Sequence, residues 1–410
     1  MTHEGYDIVI FALARWDGHY SSSAFSLARE LSRYTRVFYV DNPFTWKDYL
    51  LRKSDQQIQR RKSALRGGVN SIYVPDPQYP GLVIVTPELV YPANWLPPGK
   101  MYDWVSRMND RIVSRVIRKL FIEYSITRYV FINAFNPLYG RFFEWPRPAD
   151  LSMYYCVDDI RNSEYVSRHG SYLESEAAEM SDITLVTSLE LKRQREKEAK
   201  SVVYFPNAAD VQLFQKAAEV DGERPSELKE IPSGKKIIFY MGNICHRVDY
   251  DLLVKIARNE DWFLIMTGPL TADTYRQAGL DRLPNVIFTG KKRLNELPEY
   301  LRYADCCIIP FRLIPLTKSI YPLKINEYLS AGKPVVTTDF SEDIRNFESV
   351  AYVSSSHEQF IDNIVLALRT DSAEKRSQRI GYSSANSWSA RATELIGLIN
   401  LKIQKHGAGE

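Results

Sequence analysis

Short runs of apolar and β-branched residues alternate along the chain with longer stretches in which apolar residues recur every three or four positions. The short runs have the length of buried strands, and the longer stretches have the period of amphipathic helices. The predicted strands are 7–11, 37–40, 82–86, 129–132, 151–157, 183–186, 236–240, 262–267, 286–289, 306–310, 334–337 and 351–353. The predicted helices are 23–32, 103–124, 190–199, 250–258, 296–303, 324–331 and 360–369. This alternation predicts an α/β protein with parallel sheets that carry helices on both faces.

The alternating pattern stops at a polar stretch, residues 219–235, which is interrupted by prolines and glycines, and it then starts again. A chain of 410 residues is also longer than one ordinary core, so we expect two doubly wound domains. We place them at residues 1–205 and 206–387, with a last helix at 388–405 that crosses back to the first domain. Ligands of such sheets bind at the carboxyl ends of the strands, so the expected site is a cleft between the domains.

The composition is that of a soluble globular protein, with 45% apolar and 25% charged residues. A net charge of +3 gives no reason to expect a nucleic-acid partner. The cysteines do not form a metal-ligand cluster, and we expect neither a metal nor a cofactor. The first residues lack the features of a signal peptide, and no window is apolar enough to span a bilayer. We therefore expect a cytoplasmic protein.

Two segments are strongly basic, the stretch at 46–68 and the predicted helix at 103–124. The helix carries basic residues around its apolar face, at positions 107, 111, 115, 118 and 119. A basic amphipathic helix can lie on an anionic membrane surface, which would give a peripheral association with the inner face of the cell membrane. The alternative is a helix that faces the core and has a solvated basic side.

A candidate ligand-binding helix begins after Tyr321 and Pro322, since proline is tolerated in a first helical turn. The free N–H groups and positive dipole end of a helix start suit a diphosphate. Lys324 lies in this first turn and can place an ammonium on the same phosphates. Glu327 lies one turn later on the same face, where its carboxylate can accept hydrogen bonds from two ribose hydroxyls. The alternative is a surface lysine–glutamate pair, which stabilises a helix by only a few tenths of a kcal/mol.

The segment 321–336, YPLKINEYLSAGKPVV, resembles the donor-binding helix of GT-B-fold glycosyltransferases. The particular resemblance is to bacterial enzymes that build teichuronic acids and other surface polysaccharides, and the layout is similar to that of xanthan-type glucuronosyltransferases. Further motifs occur in the family's order at 182–188, 205–210, 240–243, 284–290 and 301–310. The resemblance covers about residues 150–370 well and the first 150 poorly. It implies a GT-B fold, in which two Rossmann-like domains face each other across a cleft.

The resemblance also implies a set of residues that bind a nucleotide sugar. The set is Gly242, Asn243, Arg247, Gly290, Lys291, Ser319, Tyr321, Leu323, Lys324 and Glu327. Gly242 and Asn243 would line the phosphates, and Gly290 and Lys291 would border the base, which in this family is usually uracil. Arg247 either adds charge to the leaving diphosphate or is an exposed loop arginine.

One position departs from the family pattern. The retaining branch of the family uses two glutamates in the motif E-x7-E, and Ser319 stands where the first of them belongs. Both inverting and retaining transfer therefore stay open. The missing acid also fits a relative that has lost its chemistry.

An inverting transfer needs a general base, and two adjacent acids, Asp158 and Asp159, close the predicted strand at 151–157. Adjacent carboxylates raise one another's pKa, which suits a base. The layout of the xanthan-type enzymes implies that Asp158 is the base, with Asp159 as a second base or a helix cap. In the alternative, both acids only cap the turn that follows.

The loop after the first predicted strand supplies the remaining candidates. Arg15 and Asp17 would contact the acceptor or the donor sugar, and His19 is a reserve base. The alternative for His19 is a solvated loop histidine.

Together these features predict a metal-independent glycosyltransferase of surface polysaccharide or exopolysaccharide biosynthesis. The donor would be a nucleotide sugar, UDP-linked, and the acceptor a glycan or a polyprenol-linked glycan. Two alternatives stay open. A sugar-nucleotide epimerase or hydrolase of the same fold would turn over the donor without an acceptor, and a non-catalytic GT-B partner protein would not turn it over.

Overall fold

The computed structural model describes residues 5–18, 22–162, 167–218 and 222–407. The chain forms two compact units, one of Met1–Phe205 with Arg391–Glu410 and one of Pro206–Ala390. Within the described ranges, no helix is both long and apolar enough to cross a membrane.

The first unit contains a sheet whose strand order is β3-β4-β2-β1-β5-β6-β7-β8. Its strands are β1 Asp7–Ala12, β2 Val37–Val40, β3 Ile72–Tyr73, β4 Leu82–Val85, β5 Tyr129–Ala134, β6 Leu151–Cys156, β7 Ile183–Val186 and β8 Val202–Tyr204. All neighbouring strands are parallel except β3, which runs antiparallel to β4. Every residue of β1 is buried, because helices cover both faces of the sheet.

The helices of the first unit lie between these strands. They are α1 Ser23–Leu31, α2 Trp46–Leu51, α3 Gln56–Arg60, α4 Lys100–Glu123, α5 Ser167–Met180 and α6 Leu189–Arg195. Local sequence sets several helix starts: Thr45 and Asp48 form a capping box at α2, and the Ser188 hydroxyl caps α6. On α4, Val113 and Ile117 pack into the core beneath the sheet.

The second unit contains a fully parallel sheet whose strand order is β11-β10-β9-β12-β13-β14. Its strands are β9 Lys236–Met241, β10 Trp262–Thr267, β11 Val286–Gly290, β12 Cys306–Ile309, β13 Val335–Thr338 and β14 Tyr352–Ser354. This is the order of a doubly wound dinucleotide-binding sheet. Cys306 and Cys307 are buried on β12 as small apolar residues.

The helices of the second unit are α7 Val211–Gln215, α8 Tyr250–Ala257, α9 Thr274–Gln277, α10 Leu297–Arg302, α11 Pro315–Lys318, α12 Leu323–Ser330, α13 His357–Thr370 and α14 Ala373–Ser384. The last helix, α15 Trp388–Gly407, begins in the second unit and belongs to the first unit from Arg391 onward. Within the first unit, Asn400 on α15 accepts a hydrogen bond from the Tyr6 hydroxyl at 2.9 Å. The α/β architecture with parallel sheets is confirmed, and each predicted strand is present with small differences at its ends.

Candidate functional site

The strand order of the second unit changes direction between β9 and β12. Loops that leave the carboxyl ends of two such strands diverge, and the crevice between them is the usual ligand site of an open parallel sheet. The loop after β9 starts at Gly242, and the chain after β12 leads through α11 to α12. Most of the predicted donor residues lie on these loops and on α12.

Two glycines let the main chain pack closely where β9 ends. Gly242 has a φ of 138°, and its N–H donates to the Thr267 carbonyl at 2.8 Å. A Cβ on Gly242 would lie 2.5 Å from Lys324 Nζ, and a Cβ on Gly268 would overlap the carbonyl oxygen of Gly242. The missing side chain at Gly242 therefore gives the Lys324 ammonium its place beside the main chain.

Lys324, in the first turn of α12, is surrounded by aromatic groups. Its Nζ donates to the Tyr240 hydroxyl at 3.2 Å and lies 4.5 Å and 4.7 Å from the ring centres of Tyr240 and Phe311. Burial and the nearby positive charge of Arg247 lower the pKa of Lys324 to about 7. The rings hold the ammonium in position but supply no full negative charge, so an anionic ligand would stabilise it.

Arg247 brings a second cation to the same place. Its guanidinium carbon lies 6.0 Å from the centre of the Phe311 ring that Lys324 also contacts, and its Nε donates to Cys245 Sγ at 3.4 Å. Two like charges held close together in a partly buried site repel each other unless an anion joins them. The Lys324–Arg247 pair therefore has the electrostatics of an anion site.

Glu327 lies one turn along α12, and burial raises its pKa to about 7. The charge of Lys324 opposes this shift, and the negative charge of Asp210 adds to it. Among the described residues, no group donates a hydrogen bond to the Glu327 carboxyl. A carboxyl group that is removed from water and receives no hydrogen bond from the protein suits a ligand whose own hydroxyl groups donate to it.

The start of α12 is open to a ligand. Pro322 is its N-cap, and no side chain of the described residues caps the first turn. The N–H of Ile325 donates to the Pro322 carbonyl at 3.3 Å, which leaves the N–H groups of Leu323 and Lys324 for a ligand. Leu323 is half-buried in this turn. Ser319 is buried, and its hydroxyl finds no hydrogen-bond partner in the described part of the chain. Tyr321 is also buried and accepts a hydrogen bond from Asn326 at 3.2 Å, so its side chain supports the helix from the core.

The other predicted donor residues lie at neighbouring strand ends. Asn243 accepts a hydrogen bond from the Thr271 hydroxyl at 2.6 Å through its side chain and one from the Tyr240 hydroxyl at 2.9 Å through its carbonyl. Gly290, with a φ of 70°, accepts from a main-chain N–H at the end of β10 at 2.9 Å. Lys291, directly after it, is exposed.

Sequence reasoning missed four residues that build this site. Tyr240 and Phe311 hold Lys324, and Asp210 acts on the pKa of Glu327. Asn207 donates to the carbonyl of Tyr321 at 3.2 Å and thereby fixes the chain that enters α12. Tyr240, Asn207 and Asp210 stood inside motifs used for the family resemblance, whereas no sequence signal marked Phe311.

The first unit has its own change of strand direction, between β1 and β5. A cavity of about 330 Å³ lies there, at the carboxyl ends of β1, β5 and β6. Leu13, Arg15, Phe135 and Val157 are among the residues that line it. Phe135 has a φ of 57°, which residues other than glycine rarely adopt and which is common at binding sites.

The two adjacent acids follow β6 next to this cavity, and they differ in their surroundings. Asp158 is half-buried, and its Oδ1 accepts the main-chain N–H of Asp159 at 2.8 Å. Asp159 forms two hydrogen bonds with the Arg161 guanidinium, at 2.8 and 2.7 Å, and caps the turn that follows. Burial opposes the effect of Arg161, but the net pKa of Asp159 is lowered. The prediction that adjacency tunes both acids upward is wrong for Asp159, because Arg161 stabilises its charged form.

Arg15 is held within its own unit. Its Nε and terminal nitrogen donate to the carbonyls of Asn42 and Pro43 at 2.9 and 3.1 Å, and it stacks 3.5 Å above the Phe44 ring. Its predicted contact with a sugar is therefore not available to those nitrogens, which are already engaged in the fold.

Asp17 is likewise engaged, in a cluster of charged residues. It pairs with Arg60 at 2.8 Å and with Arg61 at 2.6 Å, and the buried Arg61 also pairs with Asp41 at 2.9 Å. The cluster holds Asp17 in the loop after β1, and its contact with a sugar stays a prediction. His19 lies outside the described residues.

A buried polar network, which the sequence did not indicate, lies beneath Asp158. Glu174 accepts hydrogen bonds from the Tyr154 hydroxyl at 3.0 Å and from Cys156 Sγ at 3.3 Å, and it lies 3.6 Å from Arg195. Burial raises the pKa of Glu174, and Arg195 opposes the shift. The network ties the end of β6 to α5 and so positions the strand end that carries Asp158.

Comparison with known proteins gives this geometry a context. Residues 235–370 match the family described as Glycosyl transferases group 1. A Bacillus subtilis (strain 168) protein named as a teichuronic acid biosynthesis glycosyltransferase, TuaH, is 29% identical over 177 residues, which are 42% of this chain and 44% of that protein. The match thus spans less than half the length of that relative.

Solved structures resemble the whole chain in fold. Sucrose-phosphate synthase from Thermosynechococcus elongatus aligns with a TM-score of 0.65 and 16% identity over 98% of this chain and 100% of that one. An E. coli structure described as trehalose-6-phosphate bound with UDP-2-fluoro glucose aligns with a TM-score of 0.66 and 9% identity over 96% of this chain and 98% of that one. The family match lies within the second unit, and the likeness to the solved structures confirms the predicted GT-B fold.

Proposed function

We propose that this protein is a glycosyltransferase that moves a sugar from a nucleotide diphosphate sugar to a glycan or lipid-linked acceptor in surface polysaccharide biosynthesis. The observation that carries the proposal is the approach of two cations, Lys324 and Arg247, to one aromatic ring at the strand switch of the second unit. The family match over residues 235–370 and the likeness to TuaH support the same conclusion.

The second unit would hold the donor. Lys324, Arg247 and the uncapped start of α12 would stabilise the negative charge that develops on the leaving diphosphate. Glu327 would accept hydrogen bonds from the ribose hydroxyls. Since these groups neutralise the leaving group, we propose that transfer needs no bound metal. A UDP-linked sugar is the proposed donor, by analogy with the UDP-sugar in the similar E. coli structure.

The first unit would supply the acceptor side. In an inverting transfer, the acceptor hydroxyl oxygen attacks the anomeric carbon, the bond from that carbon to the diphosphate breaks, and a base takes the hydroxyl proton. Asp158 is the proposed base, because Asp159 is already paired with Arg161 and its lowered pKa makes it a poor proton acceptor. The acceptor would lie in the cavity next to Val157.

The acceptor we propose is a glycan carried on a polyprenol lipid, which would bring the protein to the inner face of the cell membrane. A lipid carrier fits the naming of the TuaH relative for a surface polymer. In this proposal the protein is cytoplasmic and peripheral to the membrane.

A two-stage assay tests the proposal. Nucleotide sugars are first screened by thermal shift, since a ligand of the native state raises the melting temperature. The best donor is then incubated with the protein, with and without a lipid extract as acceptor source. We expect nucleoside diphosphate release only when the extract is present. Asp158→Asn should reduce the rate of this release by a factor of about 100 or more and leave the thermal shift with the donor unchanged.

Each contrary outcome points elsewhere. Release of diphosphate at full rate without acceptor would favour a hydrolase, and conversion of the donor to an isomer would favour an epimerase. A thermal shift with no turnover under any acceptor condition would favour a non-catalytic partner protein. Asp159→Asn serves as the matched control. Loss of the ion pair between Asp159 and Arg161 should reduce the stability of the protein, but the proposed proton acceptor stays in place.

A further inference from the structure

The first unit exposes a group of large apolar side chains in one region of its surface. They lie on α2, on the segment 91–99 and on the first two turns of α4, and we call this the α2–α4 surface. Its apolar members are Trp46, Leu50, Leu51, Tyr91, Trp95, Met101 and Trp104. Leu51, Trp95 and Trp104 are 73%, 69% and 62% exposed. Single exposed apolar residues are common on protein surfaces, but a group of large ones this exposed is not. Such a group marks a binding surface.

The three segments of the α2–α4 surface belong together. The N–H of Trp46 donates to the Val90 carbonyl at 2.9 Å, which joins the start of α2 to the segment before Tyr91. A cavity of about 160 Å³ is bordered by Lys47 from α2, by Trp95 and by Tyr102 from α4. Of the exposed apolar side chains, Trp95 borders this depression directly, and residues from all three segments line it.

Hydrogen bonds from neighbouring side chains hold the main chain of this surface in place. The side chain of Asn109 forms two hydrogen bonds with the main chain of Tyr91, at 2.8 and 2.9 Å. The Arg168 guanidinium donates to the carbonyl of Trp95 at 2.6 Å, and the next carbonyl lies 2.9 Å from Nε2 of the buried His169. The chain is thus fixed in a conformation that presents Trp95 to solvent.

The acidic groups of this region are occupied. Asp48 forms the capping box of α2, Asp55 pairs with Arg52, and Asp103 pairs with Arg141 at 2.8 Å. Each carboxylate is therefore committed to a partner of its own unit.

The lysines of the same region are not committed in this way. Lys47, Lys53 and Lys100 are exposed, and in the described part of the chain none of them lies within ion-pair distance of a carboxylate. The α2–α4 surface therefore combines exposed tryptophans with unpaired positive charge, which is complementary to an anionic, apolar partner.

The basic face of α4 that the sequence offered as a membrane contact is a different region. Three of its four arginines have acidic partners: Arg111 and Arg118 pair with Glu144 at 3.3 and 2.9 Å, and Arg115 lies 3.9 Å from Glu88. The fourth, Arg107, lies 3.8 Å from the centre of the Phe142 ring. Exposed apolar residues with an unpaired lysine, Lys100, lie instead at the start of the helix, in its first two turns.

We propose that the α2–α4 surface docks on an anionic lipid bilayer. Tryptophan side chains are favoured at the boundary between headgroups and acyl chains, and lysines beside them attract anionic headgroups. The inference rests on the proposed function only for the choice of a lipid surface as the partner. In this proposal only the exposed side chains of the α2–α4 surface enter the bilayer interface, so the protein binds peripherally and reversibly.

Vesicle co-sedimentation of the full chain tests this docking. The probes are vesicles of phosphatidylcholine with phosphatidylglycerol and vesicles of phosphatidylcholine alone. We expect binding to the anionic vesicles only, with a loss of about tenfold or more in the double variant Trp95→Ala, Trp104→Ala. Each of Lys47→Gln, Lys53→Gln and Lys100→Gln should weaken binding by up to about fivefold at low salt. The matched control is Ile122→Ala, which removes a 78% exposed apolar side chain at the other end of α4.

The outcomes separate this inference from the proposed function. UDP binding is measured on the same variants, and it should not change because the α2–α4 surface lies in the first unit. Vesicle binding that is equal in the tryptophan variant and the Ile122→Ala control would overturn the docking surface while leaving donor binding intact. A concentration-dependent dimer in sedimentation velocity that the tryptophan variant abolishes, without vesicle binding in either protein, would show that a second copy is the partner instead.

Discussion

Lys324 and Glu327 each have a pKa of about 7, although one is a base and the other an acid. Burial disfavours both charged forms, and in the case of Lys324 the charge of Arg247 adds to the effect. A diphosphate would reverse the shift of Lys324, because a nearby negative charge stabilises the ammonium. Part of the binding energy of a diphosphate would thus come from relief of the repulsion between Lys324 and Arg247.

This arrangement predicts a bell-shaped pH dependence of donor affinity. The raised pKa of Glu327 leaves its carboxyl group neutral below about pH 7, and a neutral carboxyl is a poorer acceptor of hydrogen bonds from the ribose hydroxyls. The lowered pKa of Lys324 leaves its amine neutral above about pH 7, where it loses its attraction for the diphosphate. Affinity should therefore fall on both sides of neutral pH.

Calorimetry with a UDP-sugar checks this dependence, because its esterified diphosphate does not itself titrate near neutral pH. Glu327→Gln should remove the acid limb and keep the alkaline one. An acid limb that persists in this variant would assign it to another group, with Asp210 as the first to examine since its charge acts on Glu327.

The helix α12 shows which elements the sequence could predict. Pro322 at its start and Gly332 after its end are signals that can be read without a structure, and the helix lies between them at Leu323–Ser330. By contrast, α14 has few apolar residues, and its buried positions include Arg379 and Ser383. It has no apolar stripe and was missed for that reason. The helix α5 was missed because its polar sequence buries His169 and Glu174.

Two glycines of the second unit should respond in opposite ways to alanine. Gly381 is exposed within α14, and a Cβ built there meets no heavy atom of the described residues within 4 Å, so Gly381→Ala should stabilise the protein by about 0.5–1 kcal/mol. Gly332 has a φ of 71°, and its Cβ would lie 2.7 Å from Arg376 Cγ, so Gly332→Ala should destabilise by about 1 kcal/mol or more. Urea unfolding measures the free energy of unfolding of both variants. An equal change in the two would show that the backbone conformation and the space around these glycines do not set their effect on stability.

At the scale of the whole chain, each unit has candidate residues at the point where its strand order changes direction. The sequence predicted the sheets and the carboxyl ends of strands as sites, because the alternation of strands and helices carries that information. It also predicted Lys324 and Glu327, because their spacing on one helix is local. It could not predict that Tyr240 would hold Lys324 or that Arg61 would engage Asp17, since those contacts join distant parts of the chain.

Titration calorimetry of UDP into the full chain measures whether Lys324 and its surroundings bind a nucleoside diphosphate. UDP should bind the wild-type protein, and Lys324→Ala should weaken binding by roughly tenfold to a hundredfold, since a hydrogen bond to a charged group contributes about 1.5–3 kcal/mol. Lys255→Ala, which removes a lysine paired on the surface with Glu358, is the matched control and should bind UDP as the wild type does. Equal affinity in the Lys324→Ala and Lys255→Ala variants, or no binding of UDP to the wild type, would show that the diphosphate does not bind at Lys324.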